Sequence, residues 1–343
     1  MRASRLHAWL LALSDPAGCR SLPARPLPGE HWARLCTLAS RHGVLPALSA
    51  NTKRAMATEG VARLAADRDA GAVMERVLAD VKRRLIAQAA LSLAIRGQIR
   101  EIAAAFRAAG VPAAVLKGAD FADHLYPDPS LRLFTDLDLL VSRQYLGDAE
   151  RILPELGYVP QQAAMKYDAG YGERSWVRAD RQEGTLEVHW NLVNSPTLRR
   201  GVSLSWEDLA FEKSEEAEGG LLRPTKPARL LIAAVHAAAS HGFDRLQPLY
   251  DISLAAQRCA GESDIRWLSE TAGRTGAGLP LAASLSLAWR LFGTPACDAL
   301  RAALRLPRRG LWTVLLSPGV VLRGHWPPDS FRRQLFREML KRR

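Results

Sequence analysis

The sequence predicts a β-sheet core of the α/β or α+β kind, flanked by an N-terminal and a C-terminal helical region. Three observations carry this. Apolar residues recur at threes and fours up to about residue 110, and again after residue 224. The composition changes at Pro112 to short apolar runs bounded by Gly and Pro. Between those limits, strand-like segments alternate with short helical ones. The predicted divisions are residues 1–110, helical; 111–223, the core; and 224–343, helical with a basic tail.

The clearest helical stretch runs from Ala70 to Ala109. Val73, Val77, Leu78, Val81, Leu85, Ile86, Leu91, Leu93, Ile95, Ile99 and Ile102 keep helical spacing with no Pro. It reads as one long helix, or two with a kink at Gly97, closed by Gly110 before Pro112. Pro112 to Leu116 reads as a buried strand turning at Lys117-Gly118, followed by a short helix over Ala119 to Tyr126. Leu133 to Val141 alternates at its centre and predicts a strand. A helix over Tyr145 to Leu156, ended by Gly157, comes next. Tyr158-Val159, Arg174 to Val177 and Thr185 to Trp190 are further strands. The acidic stretch from Glu212 to Gly220 reads as a solvated linker. Helices are expected at Arg229 to Ser240, Leu249 to Cys259, Trp267 to Thr271, Leu279 to Leu291 and Cys297 to Leu304.

The net charge of +12 is uneven, because Arg301 to Arg343 holds eleven Lys and Arg against two acidic residues. A near-neutral body argues against extended nucleic acid, which needs a basic track across the surface. The tail reads as solvated, with an acidic partner or a membrane surface as the alternative. Four cysteines without CxxC spacing imply neither a zinc site nor a disulfide framework. Ala8 to Leu13 is too short, and too soon interrupted by Asp15-Pro16, for a secretory leader. No apolar run reaches the ~18 residues that span a bilayer. The expected setting is cytoplasmic.

Chemistry concentrates at Asp136-Leu-Asp138. Residues two apart on a strand share a face, roughly 6.5–7 Å apart, so both carboxylates project together while Leu137 and Leu139 face the core. Paired carboxylates repel unless a cation lies between them. Hard ions such as Mg²⁺ (or Mn²⁺) take oxygen ligands, and two of them ~3.5–4 Å apart can drive phosphoryl chemistry. A bare DxD is also an ordinary exposed strand face, so the context decides. Upstream, Lys117 and Gly118 stand where a strand turns into a helix, a place that favours phosphate oxygens. Arg132 offers a fork for phosphate. Downstream, Glu187 and His189 share one face of a strand, and Glu187 would supply a third carboxylate.

The run Leu116-Lys-Gly118, Leu125-Tyr126-Pro127, Arg132, Asp136-Leu-Asp138-Leu-Leu-Val141, Gly157-Tyr158 and Glu187-Val-His-Trp190 resembles the uncharacterised bacterial nucleotidyltransferase family of the polymerase-β-like superfamily. Leu231 to His236, His241 and Leu249 to Ile252 look like its helical C-terminal part. The resemblance spans about 110 to 260. It implies an α+β fold with a small mixed β-sheet nucleotidyltransferase core, and Asp136, Asp138 and Glu187 as catalytic metal ligands. It also implies transfer of a nucleotidyl group from a nucleoside triphosphate to an acceptor, with pyrophosphate leaving. One departure is the turn, Lys117-Gly118-Ala119, where better-known members carry Gly-Gly-Ser or Gly-Ser. Here the phosphate grip would fall to Lys117 and backbone amides.

Other polar residues are weighed against plainer roles. His189 is a candidate for acceptor orientation or base, or else a structural histidine at the sheet edge. Trp190 reads as packing. His236 and His241 lie five apart, a poor spacing for a shared helical metal site, and with Asp251 they read as helix packing and local hydrogen bonding. Asp120 suits the start of its helix, and Asp128 a turn. Two rival functions remain: a DxD sugar-nucleotide glycosyltransferase, and a non-catalytic nucleotide-binding or partner-binding relative. Replacing Asp138 with Asn is expected to leave folding intact while abolishing metal-dependent nucleotide binding. The acceptor is not named by the sequence; a small molecule, a peptide or a protein would each fit.

Overall fold

A computed structural model of the chain describes residues 5–66, 68–161, 170–179, 184–212, 220–324 and 330–342. Most of the acidic stretch after Glu212 lies outside them.

The centre is a mixed five-stranded sheet in the order β1-β2-β5-β4-β3. Its strands are β1 (Ala113–Leu116), β2 (Asp136–Val141), β3 (Tyr158–Pro160), β4 (Glu173–Arg178) and β5 (Thr185–His189). Only β2 and β5 run parallel; the other neighbours are antiparallel. Phe211–Glu212 (β6) and Arg223–Pro224 (β7) form a small separate ribbon. With helices making up most of the rest, the class is α+β, as expected.

Before the sheet come α1 (Arg5–Leu13), α2 (Gly29–Arg41), α3 (Leu45–Glu59), α4 (Val61–Leu64) and α5 (Arg68–Ala108). Within the core region lie α6 (Lys117–Leu125) and α7 (Leu146–Glu155). After it come α8 (Lys226–His236), α9 (Gln247–Ala256), α10 (Glu262–Thr275), α11 (Gly278–Phe292) and α12 (Pro295–Ala303). The chain ends with α13 (Trp312–Leu315), α14 (Pro318–Val321) and α15 (Phe331–Leu340). Pro318 opens α14, so the apolar run from Leu311 is interrupted as its sequence suggests. No helix among the described residues is long and apolar enough to cross a membrane.

Helix α5 runs unbroken through Gly97 for 41 residues, about 60 Å at helical rise. That length lets it join two cores. Its early residues Met74, Leu78 and Val81 pack with the N- and C-terminal helices, which share one apolar cluster including Trp9, Trp32, Leu249 and Leu281. Its later residues Ile95, Ile99, Ile102 and Phe106 cover one face of the sheet, against Leu137, Leu139, Leu186 and Val188. Ile86 and Leu93, which keep the apolar period, are nonetheless 61% and 68% exposed.

The basic tail departs from the expectation of a solvated segment. Phe336 and Leu340 of α15 are buried, and Phe336 meets Phe243 edge-on at 5.7 Å. Arg333 and Arg337 donate to the carbonyls of Ser240 and Ala239, at 2.7 and 3.3 Å. These arginines serve the fold because they satisfy carbonyls at a helix end.

Asp120 stands in the first turn of α6, as its sequence suggests, and is also buried with a two-pronged contact from Arg229 of α8. Asp123 accepts similarly from Arg96. Asp128 caps its turn through the Ser130 amide, as anticipated. Trp190 is half-buried.

Candidate active site

The alternation of β2 is what builds the site. Leu137 and Leu139 enter the core on one face, so Asp136 and Asp138 take the other. In the parallel pairing with β5, Asp138 stands opposite Glu187, and Asp136 opposite Thr185. The third acidic residue therefore arrives beside Asp138 through the sheet register.

Among the described residues, a group able to share a metal ion consists of Asp138, Glu187 and His189, whose ligand atoms all lie within 4.8 Å of one another. Asp136 flanks this group at the entrance of β2. Burial first, then the charge of Asp138, push the Asp136 carboxyl up to about 6. That repulsion is the condition a bound cation relieves. The oxygen-rich set thus fits a hard divalent ion.

Lys117 closes the group from the side. Its backbone takes a left-handed φ of 43°, rare for a residue with a side chain. Its buried ammonium lies 2.6 Å from Asp138 Oδ1. Burial opposes the Lys117 charge, but Asp138 and Glu187 outweigh it and raise its pKa. Asp138 shows the mirror image. Burial opposes its charge, yet Lys117 and His189 hold it well below the usual carboxylate range. Gly118 follows because a Cβ there would meet Phe134 Cβ at 3.2 Å and the Asp136 carbonyl at 3.4 Å. The glycine lets the start of α6 press against β2.

Arg132 differs from the phosphate fork expected of it. Its Nε and Nη2 each donate to Asp251 at 2.9 Å, and its Nη1 donates to the Gly118 carbonyl at 3.1 Å. Tyr126 Oη donates to the same Asp251, also at 2.9 Å. Arg132 therefore ties helix α9 to the Lys117-Gly118 turn. Asp251 is the partner that makes the clamp, a long-range tie in place of the local hydrogen bonding its sequence suggests.

His189 is the hub of the carboxylates. Its Nε2 lies 2.9 Å from Asp138 Oδ1 and 3.5 Å from Glu187 Oε2, and its Nδ1 lies 3.1 Å from Glu173 Oε2. Burial and Lys117 oppose a charged ring, but hydrogen bonds to Asp138 and Glu187, with Glu173 nearby, raise it to about 9. Glu173 is a buried participant that sequence reading overlooks.

The group opens into a cavity of about 460 Å³, walled on the far side by His236, His241, Gln88 and Gln247. The cavity therefore lies between the sheet and the joined helical regions. Its chemistry suits an anionic ligand whose charge is met by Lys117 and by a cation on the carboxylates.

Residues 28–293 match the family described as uncharacterised nucleotidyltransferase. No curated protein matches the chain in sequence. Among solved structures, a solution structure of the antibiotic-resistance factor ANT(2'')-Ia is similar at 16% identity and a TM-score of 0.38, over 54% of this chain and 95% of that one. A crystal structure of ANT(2'')-Ia in complex with adenylyl-2''-tobramycin is similar at 17% and 0.36, over 53% and 98%.

Proposed function

Since the chain belongs to the uncharacterised nucleotidyltransferase family, we propose that its cavity transfers a nucleoside monophosphate from a nucleoside triphosphate to an acceptor, releasing pyrophosphate. The observation that supports this best is the convergence of Asp138 and Glu187 from parallel neighbouring strands, with Asp136 beside them.

In this reading Asp136, Asp138 and Glu187 hold Mg²⁺ or Mn²⁺. When bound, the metal supplies charge neutralisation for the triphosphate. Lys117, whose ammonium stands beside Asp138, would meet the phosphates. The α6 start adds backbone amides. Arg132 acts from behind by fixing the turn that presents Lys117, not by touching phosphate. His189 orients the carboxylates through Glu173 and Asp138, the positioning counterpart of the acceptor or base role considered above. The acceptor oxygen would attack the α-phosphorus, its proton passing to solvent water, as the bond to pyrophosphate breaks. A cytoplasmic setting, where triphosphates and Mg²⁺ abound, suits this chemistry.

A second reading, a nucleotide-binding relative without transfer, rests on one observation. The Lys117 ammonium already neutralises Asp138 at 2.6 Å. The two readings separate experimentally. Titration of the full chain with a non-hydrolysable triphosphate should show binding that requires Mn²⁺, and incubation with α-labelled triphosphates and cell extract should label an acceptor identifiable by mass spectrometry. Metal-dependent binding without labelling favours the second reading; no metal-dependent binding overturns both.

A further inference from the structure

Across the cavity from the carboxylates, α8 does not end as an α-helix. Residues Ala237–His241 form a π turn, closed by Gly242 in the left-handed region at φ 57°. In an α-helix, residues five apart point in different directions. In a π turn the i→i+5 period brings them over one another, and such turns recur at functional sites. His236 and His241 are such a pair. Their Nε2 atoms lie 3.0 Å apart, with ring centroids at 4.6 Å and planes at 86°. Both rings line the cavity.

We propose that His236 and His241 form a chelating site for a divalent transition-metal ion of the zinc class, separate from the carboxylate group. Imidazole nitrogens suit Zn²⁺, Co²⁺ and Cu²⁺, whereas Mg²⁺ prefers oxygen. Tetrahedral Zn–N bonds of ~2.0–2.1 Å place two ligand nitrogens about 3.3 Å apart. Opening the present pair by a few tenths of an ångström admits the ion between the two Nε2 atoms, with the proton of whichever Nε2 now donates moving to the Nδ1 of its own ring.

A metal needs neutral rings, and burial, the largest influence on both, lowers His241 to about 4 and His236 well below its ordinary value. Of the charges facing the pair, Lys117, Arg132, Arg245 and Arg333 repel a cation, while Asp138 and Asp244 attract it. Asp244 Oδ1 lies 3.7 Å from His241 Nδ1 and is itself held by Arg245 Nε at 3.1 Å. The backbone is pinned as well: Arg333 and Arg337 hold the carbonyls of Ser240 and Ala239, and the buried Phe243 keeps a left-handed φ of 62°. Two protein ligands leave positions open to the cavity, which suits an ion that meets a substrate more than a structural one.

The test uses the full chain, stripped with EDTA and titrated with Zn²⁺ in a calorimeter without nucleotide, so it stands apart from nucleotidyl transfer. In the Glu187→Gln background, which disables the carboxylate group, Zn²⁺ should still bind, and at least ten-fold more weakly once His236→Gln or His241→Gln is added. Unchanged affinity on adding either histidine change, or no Zn²⁺ binding in Glu187→Gln, overturns the site. Should a histidine variant fail to fold, Cu²⁺ electron paramagnetic resonance on the wild type decides. Coupling to two imidazole nitrogens supports the pair; coupling to one or none rejects it.

Discussion

Lys117 Nζ and Asp138 Oδ1, 2.6 Å apart and both buried, form an ion pair inside the carboxylate group. This changes what Asp138→Asn should do. The variant takes from a buried ammonium its nearest counter-charge and leaves Glu187 and Asp136 to face it, and breaking such a pair costs up to about 3–5 kcal/mol. Urea unfolding should therefore show a large loss of stability, contrary to the expectation from sequence that folding is indifferent. Glu187→Gln touches a more open side chain and should cost at most about 1 kcal/mol, while removing Mn²⁺-dependent triphosphate binding as fully. An Asp138→Asn chain as stable as wild type would show that the pair contributes nothing.

The left-handed backbone at Lys117 gives a second prediction. A side chain at that φ costs roughly 1–2 kcal/mol relative to glycine. Lys117→Gly and Lys117→Ala both remove the ammonium, so their difference isolates the backbone. The glycine variant should melt at the higher temperature. Equal melting points would mean the turn relaxes once the Asp138 contact is gone.

How far the site was legible depends on whether its signals are local. Asp136, Asp138 and Glu187 announce themselves through period-two alternation, which is a property of each strand alone. Glu173 does not, because a single carboxylate at a strand start carries no pattern. Arg132 and Asp251 are 119 residues apart, so a fork that reads as phosphate-binding turned out to have a protein partner that no local window contains. His236 and His241 hydrogen-bond to each other, the local role their sequence suggests, but the π turn that stacks their rings has no sequence signal beyond the nearby Gly242. In the tail, the arginines drew attention away from Phe336 and Leu340, whose spacing of four marks a buried helix face. The sheet's helical flanks were readable from periodicity, but their joining into one core was not.

The Arg132–Asp251 clamp predicts strong coupling. Arg132→Met or Asp251→Asn should each destabilise by about 3–5 kcal/mol, since either leaves a buried charge alone. The double variant should lose clearly less than the sum, measured as a double-mutant cycle by urea unfolding. The same variants should weaken triphosphate binding by loosening the Lys117-Gly118 turn that Arg132 holds. Additive losses would mean the two side chains act independently.

A pH dependence of stability follows from His42, which stitches the N-terminal helices to the C-terminal ones. Its buried ring accepts the Leu246 amide at Nδ1, 3.2 Å, and faces the Leu322 carbonyl through Nε2 at 3.4 Å. That arrangement requires a neutral ring, and burial lowers its pKa to about 4 from an ordinary 6.5. The unfolded chain takes up this proton more readily than the folded one, so stability is complete above about pH 6.5 and falls as pH drops towards 4. The loss from this ring reaches about 3 kcal/mol at the acid end. His236 and His241 are depressed in the same sense and add to the slope. His42→Asn keeps an acceptor for the Leu246 amide but cannot be protonated. Between pH 6.5 and 4 its urea midpoint should fall less steeply than that of the wild type. Parallel slopes would show that His42 charges without disturbing the fold.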